Sequence, residues 1–265
     1  MLKFITLCAI ITLISFTSCK SSNKEKEFHK KEHQTHWTYA GETAPEHWAE
    51  IEKNSDCGGK KQSPINIIDV DTKPQVEKEN PLNILYSPST KLKQAINNGH
   101  SIQFDFETGD SIQYKGNTYF LLQLHFHEPS EHTINGVRFP LEIHLVHKSK
   151  SNKYTVMSIL AKEGTKSQLF EFFESFLPIK ENETKEIHKP LDLSTLFPKN
   201  TNFYSYGGSL TTPPCTESVN WMVFKEPIII SVDEVLKLKS NMPKDNYRNE
   251  QPLNDRVVTL NKFNE

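Results

Sequence analysis

The chain has 265 residues, enough for a substantial core in one large domain or two small ones. Its 31 basic and 33 acidic residues leave a formal net charge of -2, so total charge gives no reason to expect nucleic acid or an anionic surface as partner. Partners have to be argued from a site.

Residues 1–18 carry Lys3 and then an apolar run from Phe4 to Phe16, too short to span a bilayer comfortably, and read as a signal peptide. The run ends Phe16-Thr17-Ser18-Cys19, which resembles the bacterial lipoprotein cleavage signal, with Phe16 where leucine is usual. Cys19 is therefore expected to become a lipidated N-terminus, and residues 19–36, polar and without aliphatic side chains, a solvated tether. His29, His33 and His36 could gather on one face of a helical tether and take up zinc, but a charged linker is the simpler reading. Removal of Cys8 and acylation of Cys19 leave Cys57 and Cys215 as a possible pair, in keeping with an exported protein. Residues 37–265 show no repeat or linker and are expected to form one domain.

Strand signals dominate that domain. Ile102, Phe104 and Phe106 alternate with polar residues, and Tyr119–His127 and Leu141–His147 are further strands, with the turn pair Asn135-Gly136 between them. Helix is sparse: Gln168–Leu177 spaces Leu169, Phe172, Phe173 and Phe176 for a core-facing helix, and Ser231-Val232-Asp233-Glu234 reads as a capping box.

Period-two geometry gives the chemistry. In Gln123-Leu124-His125-Phe126-His127 the first, third and fifth side chains share one strand face. The same parity groups Glu142, His144 and Val146, and the intervening turn brings the second strand beside the first. His125, His127 and His144 are then three neutral donors that favour Zn2+ and leave room for water. Gln123 and Glu142, each two residues before a ligand, suit acceptors that fix an imidazole tautomer. His132 and His147 read as structural histidines.

These segments, with His36-Trp37-x-Tyr39, Gln62-Ser63-Pro64-Ile65-Asn66, Asn98-Gly99-His100, Ser130-Glu131-His132 and Ser209-Leu210-Thr211-Thr212-Pro213-Pro214, closely resemble the alpha-class carbonic anhydrases from about Trp37 to near the C-terminus. The resemblance implies a mainly β (α+β) fold, a large, twisted, mostly antiparallel central sheet with short peripheral helices. It implies reversible hydration of carbon dioxide to bicarbonate and a proton by attack of a zinc hydroxide, whose parent water has the pKa of about 7 characteristic of that family.

By the same resemblance Thr211 donates to Glu131 and so orients the hydroxide, and His100 shuttles protons, a role that strand parity alone does not place. Val146, Val156, Leu210, Thr211, Thr212 and Trp221 form the substrate pocket, while Tyr39, Asn97 and Gln103 line the solvent path. Cys57 pairs with Cys215, bracing the Thr211 loop. Expected partners are carbon dioxide and bicarbonate, no nucleic acid, and a membrane through the lipid anchor only; the protein is a monomer or homodimer of the periplasm or cell envelope. Family domains that have lost their ligands act as binding modules, but this chain keeps all three histidines, Glu131 and Thr211.

Overall fold

The computed structural model describes residues 36–75 and 82–262. The signal segment, Cys19 and most of the tether lie outside these residues. Among the described residues, no helix is long and apolar enough to cross a membrane.

The expected sheet is present. Its path runs through Thr184–Leu191, Thr90–Asn97, Ile102–Phe106, Asn117–His127, Leu141–Ser149, Tyr154–Glu163, Glu217–Phe224, Phe203–Ser209, Thr259–Asn261 and Lys73–Pro74. Most pairings are antiparallel, but Tyr154–Glu163 runs parallel to Glu217–Phe224 and to Ile228–Ile230, so the sheet is mixed. The Ser111–Tyr114 strand pairs with the early part of Asn117–His127 and carries Asn83–Leu85 on its other edge.

Alternation decides which side is buried. Leu124 and Phe126 belong to one large core with Ile143, Leu145, Met157 and Ile159, so the intervening residues face the opposite side. The Gln168–Glu174 helix caps this core with Phe170 and Phe173, and Phe172 and Phe176 pack at its margin. Val232–Lys239 opens with the reciprocal Ser231–Glu234 capping box read from the sequence. Asn135 and Gly136 adopt positive φ, 52° and 78°, in a two-residue hairpin turn of the kind an Asn-Gly pair favours.

His147 is a structural histidine. Its Nδ1–H donates to the Leu145 carbonyl and its Nε2 accepts from the Tyr86 hydroxyl at 2.6 Å, in a fully buried position. Burial pushes its pKa down from 6.5 to about 4, against the backbone hydrogen bonds. Folded His147 thus refuses a proton that the unfolded chain accepts below pH 6.5. Stability from this group is whole above pH 6.5 and is lost as pH falls toward 4, by about 3 kcal/mol at most. Urea unfolding across this pH range should show a shallower acid limb for His147→Gln than for the natural chain; equal slopes would refute the assignment.

Candidate metal centre

Asn117–His127 and Leu141–Ser149 pair antiparallel with His125 opposite His144 and His127 opposite Glu142. This register, together with strand parity, puts the three rings on one face, with centroids 4.7 to 5.1 Å apart. One nitrogen from each ring lies within 4.8 Å of the others.

The remaining nitrogens are all committed. His125 Nδ1 donates to Gln123 Oε1 at 2.8 Å, and His127 Nδ1 donates to the Asn246 carbonyl at 2.6 Å. His144 Nε2 donates to Glu142 Oε1 at 2.7 Å. Acceptor-only partners fix each tautomer, so Nε2 of His125, Nε2 of His127 and Nδ1 of His144 keep free lone pairs. Burial, followed for His125 by the neighbouring rings, depresses all three pKa values and keeps the rings neutral, as ligation requires. His127 Nε2 is buried without any hydrogen-bond partner. Such an orphan is costly unless something fills the site, and a divalent cation suits three convergent imidazoles.

Glu142 is the anchor beneath these rings. Its Oε2 accepts from the backbone N–H groups of Glu131 and His132, each at 2.7 Å. Its Oε1 accepts from His132 Nδ1, His144 Nε2 and Ser158 Oγ. Burial alone would raise this carboxyl, but electrostatic attraction to the His132 and His144 rings and their hydrogen bonds outweigh it and hold the pKa well below the carboxylate range. His132, bonded also to the Tyr206 hydroxyl, is fully satisfied and structural, as expected.

Glu131 is fully buried and its Oε1 accepts from the Arg248 backbone N–H at 3.0 Å. Burial raises its pKa to about 7, opposed by His144, Thr211 and the Arg248 N–H. Thr211 thus interacts with the carboxyl, while Oε2 keeps no hydrogen bond of full geometry. Val146, Val156 and Trp221 share one apolar cluster, with Leu210 packed against it and the Trp221 ring 4.9 Å from His144. Trp221 Nε1 is held by the Ser209 carbonyl. A Cβ at Gly208 would meet Ser63 Oγ at 2.1 Å and Trp221 Cδ1 at 2.9 Å, so only glycine permits this approach.

The family model for eukaryotic-type carbonic anhydrase matches residues 43–262. The chain belongs to the alpha-class carbonic anhydrases. It is accordingly a lyase of the family that hydrates carbon dioxide. It is 38% identical over 230 residues to a carbonic anhydrase of Klebsiella pneumoniae, spanning 84% of this chain and 90% of that one. It is also 35% identical over 225 residues to one of Pectobacterium carotovorum, with the same coverages. The solved alpha-carbonic anhydrase of Thermovibrio ammonificans, in complex with the inhibitor sulfanilamide, superposes with TM-score 0.80 at 37% identity, covering 84% of this chain and 98% of that one.

The other expected residues differ in their surroundings, and Asn97 is turned inward. Asn97 does not line a solvent path: it is buried, and its amide donates to the carbonyls of Ile179 and Asn241. It ends its strand pointing into the fold, and the next residue takes the outward position. Asn98 Oδ1 caps the N–H groups of His100 and Ser101, and its amide reaches Gln103 Oε1. Gln103 pairs across the sheet with His125 and bonds Asp105. His100 follows Gly99, whose φ is +80°, and stacks on Trp37 at 3.7 Å with Tyr39 edge-on. Cys57 and Cys215 form the expected disulfide, 158 residues apart.

Asn246 and Arg248 were not apparent from the sequence. Both act through backbone groups at this centre, and a carbonyl or N–H contact leaves no residue-type signature.

Proposed function

We propose that the chain converts carbon dioxide and water reversibly to bicarbonate and a proton, with Zn2+ held by His125, His127 and His144. The observation that carries this reading is the buried, unpartnered Nε2 of His127 converging with free nitrogens of two neighbouring rings. When bound, the cation supplies the Lewis acidity that makes water nucleophilic at neutral pH.

The chain's own residues do the rest. In its ionised form Glu131 accepts from the Thr211 hydroxyl, so the threonine oxygen can only accept from the attacking water and thereby sets its direction. Glu131 orients and does not act as a base. Val146, Val156, Leu210 and Trp221 offer an apolar berth to an uncharged substrate, with Thr212 at its edge.

His100 takes the departing proton to solvent. In the stacked position its pKa is pushed down to about 4, first by burial and then by His36, whose Nε2 lies 3.0 Å from its own. Efficient transfer near neutrality therefore requires the ring to leave Trp37 and His36 for water. Tyr39, Asn98 and Gln103 border that route.

The Cys57–Cys215 bridge supports export, because such bonds persist in oxidising compartments. The signal segment 1–18, lipidated Cys19, tether 19–36 and catalytic domain 37–265 complete the reading, with the cell envelope as its location.

Stopped-flow hydration of the holoenzyme, before and after chelation, tests the centre. Activity should vanish with the metal and return with added zinc. His100→Ala should retain zinc but lose turnover in weak buffer and regain it with added imidazole. Activity that survives complete metal removal would overturn the proposal. An acyl group missing from the mature N-terminus by mass spectrometry would overturn the anchor.

A further inference from the structure

The near-neutral total charge hides a local segregation. Residues 111–127 and 143–162, which make up most of four neighbouring strands and their turns, contain no Asp or Glu but carry Lys115, Lys148, Lys150, Lys153 and Lys162. Lysine ion pairs among the described residues involve Lys91, Lys225, Lys237 and Lys239, and none of these five. Of the acids bordering these segments, Asp110 is buried and accepts from Ser87 N–H, Glu142 is buried beneath the metal centre, and Glu217 accepts from Lys61 N–H and Gln62, while exposed Glu163 lies at the far end of its strand from Tyr154.

Strand register assembles these lysines with apolar groups. Leu85, Ser111, Phe120, Lys148 and Tyr154 form one row across five strands. Residues in such a row share a face, and Lys148 and Tyr154 lie one same-face step beyond Val146 and Val156. The row therefore borders the proposed substrate pocket. Leu85 is 44% exposed, and Leu122, in the irregular part of the adjacent pairing, is 37% exposed.

Two lysine heads sit over aromatic rings of this row, Lys148 5.3 Å from Tyr154 and Lys150 6.0 Å from Phe120, while Lys115, in the turn at the sheet's rim, lies 5.1 Å from the core ring of Tyr114. The turns that present them are tight. Lys115 and Gly116 have positive φ in a two-residue turn, and Ser149 closes the other turn through Asn152 N–H and both backbone groups of Lys153.

We propose that this cationic and aromatic face docks on an anionic phospholipid bilayer, orienting the anchored enzyme with this side of the sheet toward the membrane. Lysines supply attraction to anionic headgroups, and amphipathic Tyr154 with Phe120, Leu85 and Leu122 suits the interfacial layer. Its setting rests on the export and anchoring reading, since lipidated Cys19 would hold the domain at a membrane. The face itself is tested without the lipid.

The exported mature chain carrying Cys19→Ser is floated at low salt with vesicles of equal parts phosphatidylglycerol and phosphatidylcholine, or of phosphatidylcholine alone. Binding should be at least about tenfold stronger to the anionic vesicles and fall with salt. Joint replacement of Lys115, Lys148, Lys150 and Lys153 by glutamine should remove that preference while carbon dioxide hydration persists. A control lacking Lys53, Lys93, Lys199 and Lys244 should retain it.

Equal binding to both vesicle types, or equal loss in both variants, would overturn the proposal. So would tighter capture by soluble polyglutamate than by the anionic vesicles, which would assign the face to an acidic protein. Vesicle binding by the Cys19→Ser chain stands or falls separately from lipidation, which the mass of the natural mature chain reports.

Discussion

His144→Ala is expected to lose bound zinc and to reduce carbon dioxide hydration by at least about a hundredfold, since even substitutions behind a metal ligand cost about ten- to a hundredfold. The histidine has two tasks at once. Its Nδ1 belongs to the three-nitrogen set, and its Nε2–H is one of five donors on Glu142. Alanine removes both, but Glu142 keeps the Glu131 and His132 N–H groups, His132 Nδ1 and Ser158 Oγ, so the buried carboxylate remains hydrogen-bonded and the sheet should fold. Circular dichroism, metal analysis and stopped-flow hydration on the same sample separate loss of the centre from loss of the fold. Gln123→Ala, which removes only the partner of His125 Nδ1, should fall between the natural chain and His144→Ala in metal affinity. A folded His144→Ala protein with one zinc per chain and unchanged hydration would remove His144 from the centre.

The part of this centre that was legible in advance is the part governed by strand period. Once Gln123, His125 and His127 are assigned to a strand, their common face follows, as does that of Glu142, His144 and Val146. The antiparallel register opposing His125 to His144 needed only a return turn. Groups supplied from distant loops were less accessible. His127 takes its tautomer from the Asn246 carbonyl, 119 residues away, where any residue type could have provided the same oxygen. At the end of a strand a one-residue change of direction exchanges inside for outside, which is why Asn98, not Asn97, faces Gln103. The family motif located His100, but its stacking on Trp37 and contact with His36 come from tertiary packing.

Replacing both Cys57 and Cys215 by alanine should lower the unfolding free energy by several kcal/mol. The bridge joins positions 158 residues apart, a loop for which the chain-entropy model gives about 5 kcal/mol. For a domain of this size that is a fall of about 10–20 °C in Tm. Activity should fall as well, because the bridge is wired into the catalytic loop. Cys215 N–H donates to the Thr212 carbonyl, Cys215 O accepts from Gln62 Nε2, and Cys57 O accepts from Arg248 Nη2. Arg248 in turn places its backbone N–H on Glu131, so both ends of the bridge lead to the pair proposed to orient the attacking water. Because Cys57 and Cys215 are buried, paired substitution is a cleaner probe than a reductant, whose access would itself require opening of the fold. Hydration measured well below the lowered Tm distinguishes the two contributions. A variant that melts early yet turns over at the natural rate would leave the bridge as a restraint on the unfolded chain and remove its role in holding Thr211.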